Sequence, residues 1–308
     1  MKFKAILLSM VIVFIAGCTA NNNDTQNSDS FYVELTNEKV DHVHGIGYLG
    51  ESNDIFVATH HGIKRFSNGV WYETITNNHD FMGFQTTEVG FFASGHPERG
   101  SKLKDPLGLI KSENLGETLD TLAFYGETDF HYLAAGYNSL TIYALNEHPN
   151  KELGKGLYYT EDEGKTWKKS EMNGFSARSI GNVATHPTQS SLVAISTSQG
   201  LYFSEDYGDT FSLITSPNPV TTVEFQEDTL LYAIIDGSEV SLIQKDLTSN
   251  SEKKYSLADN EKSPILFLAS NPQNREEIVV VTLQNEFFQT SNSGGKWENI
   301  TPTSNSSQ

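Results

Sequence analysis

From about residue 41 onward, apolar and polar positions alternate in short runs that are broken by turn residues. The stretch ending at Ile214 shows the unit: Arg178–Ala184, Leu192–Thr197, Leu201–Ser204 and Phe211–Ile214 read as four strands, separated by HPTQSS, SQG and EDYGDT. A second copy runs through Ile265–Ala269, Glu277–Thr282, Phe287–Thr290 and Trp297–Ile300. No helical period survives after the first seventeen residues.

The turn before the fourth strand carries a repeated signature. Thr160-Glu161-Asp162-Glu163-Gly164-Lys165-Thr166-Trp167 is matched by Ser204-Glu205-Asp206-Tyr207-Gly208-Asp209-Thr210-Phe211. Weaker copies begin at Ser112 and Thr290, and a shorter one is Ser67-Asn68-Gly69-Val70-Trp71. Their starts lie about 43 to 48 residues apart if one eroded copy falls near Lys245-Asp246-Leu247-Thr248. Six units of four short strands predict an all-β, six-bladed β-propeller of antiparallel blades. The number becomes seven if Phe31–Leu35 starts a partial blade. That segment is expected instead to add an edge strand beside the last blade and help close the ring.

The ends predict the domain organisation: a signal peptide over 1–17, a tether over 18–30 and the propeller over 31–308. Met1-Lys2-Phe3-Lys4 is a short basic start, and the apolar run Ala5–Ala16 is too short to span a bilayer comfortably. Ile15-Ala16-Gly17-Cys18 resembles the lipobox of bacterial lipoproteins. The resemblance implies that Cys18 is acylated, becomes the mature N-terminus and anchors the chain to the extracytoplasmic face of the cell membrane. Cys18 is the single cysteine, so the fold forms without an internal disulfide and cysteine catalysis is excluded. Thr19–Ser30 holds no large apolar residue and reads as a flexible tether with a mean reach of about 20 Å.

Charge narrows the partners. With 39 acidic residues against 21 basic ones and a net charge of −18, nucleic acid is a poor partner, because phosphate-backbone binding needs clustered Lys and Arg. Loss of Lys2 and Lys4 with the leader makes the mature chain more acidic still. Such a body is repelled by an anionic lipid surface, so the expected contact with the bilayer runs through acylated Cys18.

The eight-residue signature resembles the Asp-box, or BNR repeat, over about Asp41 to Pro302. That repeat occurs in sialidases, other glycoside hydrolases, sortilin-like receptors and photosystem assembly propellers. The chain also looks like surface lipoproteins of Gram-positive bacteria labelled glycosyl hydrolases for this repeat. One fold hosts many activities, so the resemblance implies the propeller more than a reaction. The repeat residues read as structural. Asp162 and Asp206 can accept backbone amides of their own turns, Gly164 and Gly208 permit positive φ, and Trp167 and Phe211 pack between blades. The turn joins strands three and four, on the face opposite the usual ligand mouth.

In an up-and-down blade, the start of strand one and the end of strand two share a face. His42, His44, His60, His61, His79, His96, His131 and His148 fall at such places, while His186 lies in a turn on the other face. His42 and His44 are two apart on a strand and leave the same side. A turn at Gly50–Asn53 pairs Leu49 with Asp54 and sets His61 opposite His42. If the register slips by one residue, His60 joins the face instead. Either way three imidazoles converge, a plausible site for Zn, Cu or Ni. The same residues also fit a polar ligand pocket, with His96, Arg99, His131 and Arg178 orienting an anion, or histidines bonded to carbonyls and water.

Asp41, Asp80, Glu98, Asp129 and Glu147 map to this mouth, and a glycosidase needs two such carboxylates. A sialidase needs an arginine triad, but Arg65 lies in a third strand and Arg275 in a turn on the far face, leaving Arg99 and Arg178. There is no Gly-x-Ser-x-Gly elbow, phosphate loop or His-Glu-x-x-His. Trp71, Tyr72, Tyr125 and Tyr137 could stack on sugars, although inter-blade packing is the commoner job of such rings. Three readings follow: a propeller lipoprotein binding a small-molecule, glycan or protein ligand at the His-rich mouth through a metal or without one, a glycoside hydrolase, or a protein scaffold.

Overall fold

The computed structural model describes residues 31–36, 39–40, 42–255, 257 and 262–302. Every regular element there is a β-strand. No helix among the described residues is long and apolar enough to cross a membrane. The strands form six antiparallel sheets, each ordered as in the sequence except that the N-terminal strand joins the outer edge of the first. Their innermost strands are Val43–Tyr48, Asp80–Thr87, Tyr132–Ala135, Ile180–Thr185, Val220–Gln226 and Ile265–Asn271. Each touches the next and the sixth touches the first, so the chain is a six-bladed β-propeller around a central channel.

The core explains why the pattern reads as it does. Buried side chains fall into six clusters, and each joins two consecutive blades. Second strands such as Ile55–Thr59 and Val193–Thr197 are buried along their whole length because a neighbouring blade covers each face. Strands with two covered faces are nearly continuous apolar runs rather than strict alternations.

The N-terminal strand departs from expectation. Tyr32–Glu34 pairs with Val70–Thr74 and becomes a fifth, outer strand of the first blade, neither an edge of the last blade nor part of a seventh. Tyr32 directs it there, since its ring packs edge-on to Phe56 and its hydroxyl donates to the Leu115 carbonyl at 2.7 Å. The ring closes through side chains instead. Trp71 of the first blade packs on Phe287 of the sixth at 5.1 Å, and its indole N–H donates to the Ile300 carbonyl at 2.7 Å. Nearby, Asn271 donates to Asn53 across the same seam at 2.9 Å.

The repeated turns share one hydrogen-bond pattern. Asp162 accepts from the Thr166 N–H at 2.8 Å and the Thr160 hydroxyl at 2.7 Å, while Thr160 accepts from the Gly164 N–H at 2.9 Å. Asp206 repeats this with Thr210 and Ser204, and the Asn114 and Asn292 amide oxygens take the same place in the weaker copies. The Thr166 hydroxyl, more than its N–H, pulls the Asp162 carboxyl down to about 2. Gly164 and Gly208 hold φ of +85° and +83°, where a side chain would be strained. Asp246, in the eroded copy, still accepts from the N–H groups of Thr248 and Ser249. Trp167 packs against Phe124 and Phe130, and Phe211 against Phe175.

Candidate functional site

The site starts from a bulge. Pairing in the first blade runs from Tyr48 opposite Ile55 to Gly45 opposite Ala58, then shifts so that Val43 faces Thr59. His44 is the extra residue, and a bulge re-aims the side chain it carries. The shift brings His60 to the two other imidazoles, with ring centroids 4.8 Å from His42 and 4.5 Å from His44. His61 is displaced into the turn, where its N–H donates to the Thr59 hydroxyl and its side chain is exposed. Of the two registers drawn from the sequence, the bulge selects the one that groups His60.

A residue of the next blade completes the group. Asp80 opens the innermost strand of the second blade, and its Oδ1 lies 3.6 Å from His44 Nε2 and its Oδ2 3.3 Å from His60 Nδ1. One ligand atom from each of His44, His60 and Asp80 lies within 4.8 Å of the others. A tetrahedral zinc ion with bonds of 2.0 to 2.1 Å needs ligand atoms about 3.3 to 3.4 Å apart, and each imidazole already stands near that distance from one of the two Asp80 oxygens. Both His44 Nε2 and Asp80 Oδ1 are buried without a hydrogen-bond partner. Burial, opposed by Asp80 and reinforced by the neighbouring histidines, lowers the His44 pKa to about 4. Its imidazole is therefore neutral at pH 7, the state in which nitrogen can ligate a metal.

A relay of imidazoles and carboxylates continues around the mouth. His96 Nδ1 meets Asp105 at 2.6 Å and its Nε2 meets Asp129 at 3.3 Å. His131 Nε2 also meets Asp129 at 3.3 Å, and its Nδ1 lies 3.6 Å from Glu147. Burial raises the Asp129 pKa against the pull of His131 and His96. Burial would lower His96, but the Asp105 hydrogen bond and the surrounding carboxylates outweigh it and raise the pKa.

Other predicted residues fall outside this group. Glu98 accepts from the Asn78 N–H, and its own N–H donates to buried His79, so both hold the loop at 96–99. Arg99 and Arg178 are exposed and enter none of the salt bridges found among the described residues. Asp41 and Cys18 lie outside the described residues. Arg65 sits in a third strand as expected, its guanidinium over the Tyr32 and Tyr72 rings. Arg275 lies within the second strand of the sixth blade rather than in a turn. Among the aromatics, Trp71 is buried in the closing seam, Tyr125 accepts from the Lys104 N–H, and Tyr137 donates to the Gly50 carbonyl.

Gly95 supports the site from behind. A Cβ added there would stand 1.9 Å from the Asp80 carbonyl oxygen, at a φ of +121°. Gly95→Ala should therefore cost about 1 to 3 kcal/mol and move Asp80. A urea titration of the variant checks the first effect, and a crystal structure of the variant checks the second.

Two cavities lie along the innermost strands. Under the histidines is a cavity of about 100 Å³ lined by His44, Phe84, His131, Asn182 and Phe267. At the opposite end, a cavity of about 320 Å³ is walled by all six blades, among them Tyr48, Gln85, Tyr137, Glu224, Gln226 and Arg275. Sequence reasoning missed this larger cavity, although a single Glu within the otherwise apolar Val223-Glu224-Phe225 segment was a signal. Burial raises the Glu224 pKa from 4.5 to about 8, against the Ser270 N–H that favours the ionised form. An acid raised on folding gives stability that is full below pH 4.5 and is lost as the pH climbs through 8. The stability gap between wild type and Glu224→Gln should change by up to a few kcal/mol across that window and stay flat outside it. Urea titrations at several pH values measure it.

Six blades around a channel with an imidazole–carboxylate mouth define a β-propeller. A family model described as "Sortilin, neurotensin receptor 3" matches residues 108–261, half of the chain, and the chain belongs to this Sortilin-Vps10 family. Among solved structures, a GH74 enzyme of Niastella koreensis is similar at a TM-score of 0.60 and 16% identity, over 88% of this chain and 47% of that one. A chain of a nidogen/laminin complex is similar at 0.59 and 9%, over 81% and 93%. The extracellular domain of a putative hybrid two-component system from B. thetaiotaomicron gives 0.55 and 12%, over 89% and 35%. The chain spans about half the length of the GH74 enzyme, and at these identities the likeness is one of fold. No curated protein matches the sequence.

Proposed function

We propose that this is a lipid-anchored, extracytoplasmic propeller that binds its ligand at the His-lined mouth through a transition-metal ion held by His44, His60 and Asp80. The observation that carries the reading is the pair of buried, unpartnered atoms, His44 Nε2 and Asp80 Oδ1, facing each other at 3.6 Å. An ion between them would satisfy both, and unsatisfied buried polar atoms call for such an explanation. Two imidazoles and one carboxylate suit Zn or Cu and leave an open coordination position towards the solvent side, where His42 and His131 are exposed. An anionic or lone-pair group of a small molecule, glycan or protein would fill that position. Anchoring through Cys18 rests on the lipobox resemblance alone.

Elemental analysis after dialysis tests the reading. The detergent-solubilised full chain loaded with Zn or Cu should retain close to one ion per chain, and His44→Ala/His60→Ala should retain none. Equal metal in both proteins, or none in either, would overturn it.

A second reading has one observation behind it. The raised carboxyl of Asp129 and the neighbouring carboxylate of Asp80 form an acid pair of the kind a glycosidase uses. Turnover of an aryl-glycoside panel, lost in Asp129→Asn, would support that reading over simple ligand binding.

A further inference from the structure

We propose that the larger cavity, at the other end of the channel from the histidines, binds a compact cation bearing N–H donors, an alkylammonium or guanidinium group, with Glu224 as its counter-ion. At about 320 Å³ it is at the lower end of the size range of small-ligand pockets, and every blade contributes to its wall.

Glu224 stands on the innermost strand of the fifth blade and accepts from the backbone N–H of Ser270 in the sixth, at 2.9 and 3.2 Å. A carboxylate offers about four acceptor positions, and one N–H leaves most of them open. No Lys or Arg among the described residues forms a salt bridge with it. Arg275, the cation on the same wall, is paired with Glu227 at the rim.

Two further side chains on this wall have polar capacity to spare. Tyr48 is 1% exposed and Gln226 is 5% exposed; the Gln226 Nε2 has no hydrogen-bond partner, and the Tyr48 hydroxyl, which interacts with Glu277 and Gln289, keeps a lone pair free to accept. The Tyr48 hydroxyl lies beside a second acid, Glu277, which is itself held by Gln289 at 2.8 Å. A cationic N–H group fits the acceptors of Glu224 and Tyr48, and the Gln226 amide can donate to a carbonyl or hydroxyl further along the ligand. The net charge of −18 draws cations to the protein from a distance. The same head group occurs on free amines and on Lys or Arg side chains of a partner protein. None of this depends on the metal reading, which concerns the opposite mouth.

Calorimetric titration of the detergent-solubilised full chain tests the proposal. Burial pushes the Glu224 carboxyl up to about 8, with Glu277, Tyr48 and the Glu227–Arg275 pair around it, so titrations belong at about pH 8.5. The probes are n-butylammonium and acetyl-Gly-Lys-Gly-amide, each beside a neutral isostere, n-butanol and acetyl-Gly-norleucyl-Gly-amide. Saturable binding of a cation, absent for its isostere and weakened about 30-fold or more in Glu224→Gln, is the expected result. Tighter binding of the amine would point to a free amine, and tighter binding of the peptide to a basic side chain. Glu224→Gln keeps an acceptor for Ser270, and Tyr48→Phe, expected to weaken cation binding several-fold, is a second variant of unchanged shape. Equal binding of the neutral isosteres, unchanged affinity in Glu224→Gln, or no binding up to about 10 mM would overturn the proposal.

Discussion

Trp71→Ala should lower the stability of the propeller by about 3 to 5 kcal/mol, the range for truncating a large aromatic in a packed core. Trp71 is 7% exposed, packs on Phe66 and Phe287, and lies in the cluster that joins the first blade to the sixth. Among the described residues no strand crosses that seam, because each blade draws its strands from its own segment and the N-terminal strand adds to the first blade instead. Truncation would leave a cavity at the seam and the Ile300 carbonyl without its indole donor. Urea titration followed by circular dichroism measures the loss. Val33→Ala, at an exposed position of the outer strand, should change stability by less than about 0.5 kcal/mol in the same assay. A loss below about 1 kcal/mol for Trp71→Ala would mean that closure rests on other contacts.

His44→Ala and Asp80→Asn should each weaken metal binding by more than about 100-fold, since even residues that only support metal ligands cost 10- to 100-fold. Removing either ligand leaves two donors and opens the triangle of atoms that lie within 4.8 Å of one another. His61→Ala should change affinity less than about threefold, because its exposed side chain stands in the turn outside the group. Competition against a chromogenic chelator gives all three values. Equal losses for His61 and His44 would contradict the register that the bulge imposes.

Much of the fold was legible because repetition is a long-range signal written locally. Asp162 and Asp206 recur with the same neighbours, and the turn they build depends on residues within four positions of each. The placement of Tyr32–Glu34 was not legible, because it depends on the Leu115 carbonyl and the Phe56 ring, contacts that no local pattern encodes.

The site divides in the same way. His42 and His44 could be read as one face of a strand, and His60 or His61 as their partner, from alternation alone. Which of the two joins them was decided by one extra residue in the strand, and a bulge leaves no local mark in such a short segment. Asp80 was recognised as a mouth residue but not as a companion of these histidines, because it belongs to the next blade and sequence spacing says nothing about distances between blades. Glu224 and Tyr48 went unnoticed for the opposite reason. They sit inside strands that otherwise read as core, on the face where no histidine drew attention.

The central claim is that one metal ion sits between the first two blades. Anomalous diffraction from a zinc-loaded crystal, collected on both sides of the zinc edge, tests it most directly. The account predicts a single strong peak about 2.0 to 2.2 Å from His44 Nε2, His60 Nδ1 and an Asp80 carboxylate oxygen. A crystal with zinc bound elsewhere, or with no peak at this triplet, would contradict it.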